Sequence, residues 1–103
     1  MTSNRKFKNT PMYQGVDERV SYTVDTGLWP GTGDPTSMVV KLYDETGADV
    51  SATKLSGSAS NAGAIISTPL VILLAAGASY RLEVQWVKSG NTYEAYGNLI
   101  GEL

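Results

Sequence analysis

Asp25-Thr26-Gly27 is the tripeptide in this chain with the residue types for acid–base chemistry. Two carboxylates that share one proton can activate water, because like charges at close range push their titrations apart. The tripeptide occurs once, so this chemistry would need a homodimer that brings two Asp25 side chains together. Asp44, Glu45 and Asp49 form a second acidic group, with oxygen ligands of the kind calcium takes. Their spacing fits no twelve-residue calcium loop, and an acidic turn needs no ion, so no specific calcium binding is expected. The chain has no His and no Cys. That removes the usual general base, any Ser-His or Cys-His pair, every disulfide and every thiolate metal site. Gly31-Thr32-Gly33 lacks the Gly-Lys and following helix of a phosphate loop. On these grounds no catalytic residue, metal or cofactor is assigned, and no small-molecule ligand is expected.

The elements that would hold these residues are strands. Tyr80, Leu82, Val84 and Trp86 alternate with Arg81, Glu83 and Gln85, the period of a half-buried strand. Met38, Val40 and Leu42 alternate with Val39, Lys41 and Tyr43. Val20, Tyr22 and Val24 alternate with Arg19, Ser21 and Thr23. Tyr93, Ala95 and Leu99 alternate with Thr92, Glu94 and Tyr96 in a closing strand that follows the hairpin loop Lys88-Ser89-Gly90-Asn91. Met12 to Val16 reads as a short edge strand. Ile65 to Leu73 is β-branched and carries Pro69, which favours strand over helix. Leu55 to Gly63 is small and polar and reads as a flexible loop, with a weak strand at Thr53 to Leu55. Asp44-Glu45-Thr46-Gly47 has the composition of a turn. About seven short strands and no helix predict an all-β antiparallel sandwich. Within it Asp25 has an alternative to catalysis, as the side chain of an Asx turn closing a strand, and this is the favoured reading.

At 103 residues, the chain has the size of one domain, which buries roughly two-thirds of its extended surface. The organisation expected is a flexible tail over 1–10, carrying Arg5, Lys6 and Lys8 around Phe7, and a single β domain over 11–103. A net charge of −2 offers no basic field for nucleic acid or for an anionic membrane. No secretory segment or membrane span is visible, so cytoplasmic synthesis without a signal peptide is expected. Trp29, in a Gly/Pro-rich loop, is either a lid over one end of the domain or an anchor for a partner. Tyr43 and Tyr96 fall on outward faces and could form a patch for a protein partner or for self-association.

Three resemblances bear on function. Asp25-Thr26-Gly27 after Tyr22-Thr23-Val24 resembles the catalytic signature of aspartic proteases, and the chain length suits the homodimeric retroviral type. Leu28 stands where that family has Ala or Ser, and Leu99-Ile100-Gly101 arrives only at the terminus. Leu74-x-x-Gly77-x-x-Tyr80 leading into the strand with Trp86 resembles the tyrosine corner of fibronectin type III and other immunoglobulin-like sandwiches. That resemblance implies an inward Leu74 and a Tyr80 hydroxyl bonded to backbone just upstream. Tyr22 stands where type III domains carry a core Trp, so immunoglobulin-like is the closer label. Finally, Pro35-Thr36-Ser37, Val39 to Asp44, Leu55-Ser56-Gly57-Ser58 and Gly77-x-x-Tyr80-Arg81-Leu82-Glu83-Val84 together resemble small phage or prophage structural proteins. This implies a non-catalytic structural or protein-interaction role, with a virion as its setting. A calcium-dependent adhesion domain is the remaining alternative.

Overall fold

A computed structural model describes residues 11–103; the expected tail over 1–10 lies outside them. The chain is all-β. Its backbone is organised by the hairpin of β8 (Ser79–Lys88) and β9 (Asn91–Glu102). Tyr80, Leu82, Val84 and Trp86 are buried along β8, and Ala95 and Leu99 oppose them from β9. A two-residue turn at Ser89 and Gly90, with φ of +51° and +77°, matches the twist of the paired strands. β3 (Thr36–Asp44) joins the other side of β8, antiparallel, with Leu42 opposite Leu82 and Val40 opposite Val84. A one-residue register shift between Thr36 and Val39 bends its start. β1 (Met12–Gly15) completes a four-stranded sheet by lying parallel to β9, giving the order β1-β9-β8-β3.

The remaining strands are short. β2 (Thr23–Asp25), β5 (Ser60–Ala62) and β6 (Ile65–Ser67) form a sheet in the order β2-β6-β5. β4 (Leu55–Ser56) pairs with β7 (Leu70–Val71), and Val20 bridges to Val71. The interruption between β6 and β7 has a chemical cause. Pro69 has no N–H, and Thr68 takes over the ladder locally. Thr68 N–H donates to the Tyr22 carbonyl at 2.8 Å, and Thr68 Oγ1 accepts from Tyr22 N–H at 2.9 Å.

Two expectations need correction. Leu55 to Gly63 is not one flexible loop, because it contributes β4 and β5. Ser, Ala and Asn have weak strand propensity, so pairing with β6 and β7 decides their state. Nor is the chain free of helix. Thr26–Leu28 forms a 3₁₀ turn, and Ser51–Lys54 forms a single α-helical turn, α1, where a weak strand was expected at Thr53.

Two adjoining apolar clusters hold the sheets together. One gathers Leu42, Val71, Leu74, Tyr80, Leu82 and Leu99. The other gathers Val24, Ile66, Val84, Trp86 and Ala95, and Val40 packs against both. Gln14 ties β1 to this core from a fully buried position. Its amide donates to the carbonyls of Val71 (2.8 Å) and Glu18 (3.1 Å), and its carbonyl accepts from the Tyr22 hydroxyl (2.8 Å). Each side-chain polar group of Gln14 is thus satisfied, as burial requires.

Candidate functional site

The outer face of the four-stranded sheet brings two of the sequence candidates together. Register places Tyr43 beside Arg81, and Glu83 beside Tyr96. The Arg81 guanidinium lies 3.9 Å from the Tyr96 ring centroid, a cation–π contact. Its Nε also pairs with Glu83 at 2.6 Å. A shallow groove of about 200 Å³ beside them is lined by Val39, Lys41, Tyr43, Glu83, Gln85 and Glu94. Lys41 reaches Asp49 at 3.6 Å. The face therefore presents half-buried aromatic rings among charges of both signs. Such a surface suits stacking and ion pairing with another protein. Arg81, which stands opposite Tyr43 and lies over the Tyr96 ring, was not among the expected contacts. Its position, opposite Tyr43 on β3 and diagonal to Tyr96 on β9, becomes visible only once the three strands are aligned.

Trp29 lies elsewhere, at the end of the domain reached by β2 and β8. Its ring meets Trp86 edge-on, with centroids 4.9 Å apart, and Tyr93 lies 6.2 Å from Trp86 on another side. The Trp86 indole N–H is the buried side-chain group without a hydrogen-bond partner among the described residues. Beneath Trp29 sits Lys88, only 5% exposed. Lys88 Nζ donates to the carbonyls of Thr26 at 2.8 Å and Trp29 at 3.1 Å. It thus fixes the loop that carries Trp29. Lys88 belongs to β8, not to the hairpin loop, and its side chain continues the inward row after Trp86.

The corner residues cluster at the opposite end. Leu74 is buried, Gly77 has φ of +78°, which a side chain would strain, and Tyr80 Oη accepts from Ala75 N–H at 2.9 Å. Gly101 passes so close that an added Cβ would stand 2.2 Å from the Ala75 carbonyl oxygen. This close backbone crossing is where Leu99-Ile100-Gly101 is used.

Asp25 caps the 3₁₀ turn. Its Oδ1 accepts from Gly27 N–H at 2.9 Å, and its side chain is exposed. Thr26 is fully buried, with its hydroxyl on the Ala64 carbonyl at 2.7 Å. The acidic turn is likewise built from its own carboxylates. Asp44 Oδ1 accepts from Thr46 N–H (2.9 Å), the Thr46 hydroxyl (2.5 Å) and Ala48 N–H (3.1 Å). The Thr46 hydroxyl first, and these backbone donors with it, hold the Asp44 carboxyl below its ordinary range. Asp49 is lowered mainly by its hydrogen bonds from Ser51, with a smaller contribution from Lys41. Among the described residues no group of three or more His, Cys, Asp or Glu side chains gathers to hold a metal. Nor, among them, is any helix long and apolar enough to cross a membrane.

No protein-family model, curated protein or solved structure matches the chain.

Proposed function

We propose that the chain is a non-catalytic structural or protein-interaction module of immunoglobulin-like architecture, serving as a virion-associated component of a phage or prophage. Strand order supports the architecture. β3, β8 and β9 stand where such sandwiches have their CFG sheet, and β2, β6 and β5 where they have B, E and D. Tyr80, near the start of β8, bonds back to Ala75 as the tyrosine corner requires. The first strand departs from the constant-type order, since it lies beside β9 instead of β2. The virion setting rests on the resemblance of the segments from Pro35 to Val84 to small phage structural proteins.

The observation that carries the functional reading is the Tyr43–Arg81–Tyr96 cluster, displayed on strands of nine, ten and twelve residues. A rigid face with aromatic and arginine side chains is the kind of surface on which binding energy concentrates. Asp25 and Trp29, the residues that otherwise suggest chemistry or a ligand, already serve a turn and a core. The test is to purify particles from the phage or induced prophage that encodes the chain and to search them by mass spectrometry. The chain is expected in the particles, and a Tyr43→Ala/Tyr96→Ala variant that folds normally is expected to be lost from them. Particles lacking the wild-type chain would overturn the virion reading.

A further inference from the structure

The edges of the sheets are not treated alike. On β3, the Val50 N–H donates to the Leu42 carbonyl, Leu42 N–H to Ser51 Oγ, and Asp44 N–H to the Ala48 carbonyl. The register shift before Val39 disrupts the rest of that edge. On β1, Glu18 folds back onto Gly15, taking its N–H at 2.6 Å and returning its own N–H to the carbonyl at 3.0 Å. β5 is only three residues long. Covering, bulging and shortening are the ordinary ways of keeping an edge from pairing with another chain. The segment from Arg19 to Asp25 is longer than β5 only because Val20 and Tyr22 extend the pairing of the three-residue β2, and its ladder with β6 has no register shift. It contains no proline or lysine, and the irregularity opposite it lies in Thr68-Pro69, on the neighbouring strand.

Its hydrogen-bonding direction follows from its neighbours. Val20 exchanges bonds with Val71, Tyr22 with Thr68, and Thr26 N–H reaches Ala64. Even-numbered residues therefore face the sheet, and the backbone groups of Arg19, Ser21, Thr23 and Asp25 face away from it. These four residues are exposed. Among the described residues the N–H and C=O of Ser21 make no hydrogen bond, the same alternation turns the backbone groups of Thr23 away from β6, and the Asp25 carbonyl opens the 3₁₀ turn over Thr26–Leu28.

The geometry points to this edge as an antiparallel pairing surface for a second copy of the same chain, centred on Tyr22. This deepens the interaction-module reading and rests on it. In that register Arg19 stands opposite Asp25 of the other copy, and Ser21 opposite its Thr23. The two-fold axis repeats both pairs. Asp25 Oδ1 is engaged by Gly27, leaving Oδ2 for the incoming guanidinium. Charge complementarity selects this register: one centred on Thr23 instead sets Arg19 against Gly27 and leaves both charges unpaired. The pairing also keeps the two Asp25 side chains apart. Each faces an Arg19 at opposite ends of the ladder, about 20 Å from the other along six strand residues, so a shared-proton carboxylate pair cannot form there.

Analytical ultracentrifugation of the full chain, from micromolar to millimolar concentration, tests the inference. The wild type is expected to pass from monomer to dimer, with dissociation rising with salt because the two ion pairs are exposed. Arg19→Glu, which places like charges opposite each other at both ends, is expected to weaken the dimer at least about thirty-fold. Arg19→Glu/Asp25→Lys is expected to restore most of the affinity. Thr23→Pro, whose lost N–H points away from its own sheet, is expected to give a folded monomer. A wild type that stays monomeric at millimolar concentration overturns the inference. So does a dimer indifferent to Arg19→Glu, or one lost only in Tyr43→Ala, which would place the contact on the outer sheet face. Particle association is read separately, so a monomer that still enters particles removes the dimer and leaves the module, whereas a dimer absent from every particle does the reverse.

Discussion

Lys88→Met should release the loop that carries Trp29. Methionine keeps most of the apolar stem and removes the ammonium, leaving the carbonyls of Thr26 and Trp29 without their donor. Hydrogen bonds from a charged donor contribute about 1.5–3 kcal/mol each before the cost of burying the charge is counted. Lys88 is 5% exposed and bonds carbonyls, with no carboxylate bonded to it among the described residues, so that desolvation cost offsets part of the gain. A net loss of about 2 kcal/mol follows, equal to a fall in melting temperature of about 10 °C for a domain of this size. Urea titration gives the free energy, and near-ultraviolet circular dichroism follows the Trp29–Trp86 contact, whose edge-on geometry should loosen. If Lys88→Met stays within about 0.5 kcal/mol of wild type and leaves the aromatic signal unchanged, the loop is held by Trp29 packing and not by the lysine.

Two further outcomes are expected. Tyr80→Phe should cost about 1 kcal/mol in urea melts, since it removes one hydrogen bond from an N–H that water can partly reach; no measurable change would show that the corner bond contributes nothing. The Asp44 and Asp49 carboxyls are both depressed, so the stability they provide is present above their unfolded values and lost as pH falls through the lower folded ones. An acid titration should therefore show a decline beginning below about pH 4, and Asp44→Asn should shrink it; an unchanged acid limb in that variant would remove the turn from the explanation.

Sequence alternation located the long strands because each turns one face to the core: Leu82, Val84 and Trp86 are buried on β8, Leu42 on β3 and Leu99 on β9. It failed where pairing overrides local preference. Ser60-Asn61-Ala62 has no strand pattern of its own and is held by β6. The parallel pairing of β1 with β9 was equally hidden, since a local pattern does not name its partner. Lys88 reads with Ser89-Gly90-Asn91 as a hairpin loop, although its position two residues after Trp86 continues the inward row, and lysine is rarely buried. Tyr43, Arg81 and Tyr96 are each legible as outward residues; that they share one patch is not, because it depends on the register of three strands. Asp25 could be read two ways because both readings place an aspartate at the end of a strand. Only the Gly27 bond shows the local role it fills.

The central claim, that this chain works through its surfaces and not through Asp25 chemistry, is tested most directly by incubating the full-length protein with an unfolded protein substrate between pH 4 and 7 and analysing the peptides by mass spectrometry. The account predicts an intact substrate and an Asp25→Asn variant that folds as the wild type does, its amide oxygen still capping Gly27, while its dimerisation weakens because the carboxylate opposite Arg19 is gone. Cleavage in the acid range that disappears in Asp25→Asn would contradict it.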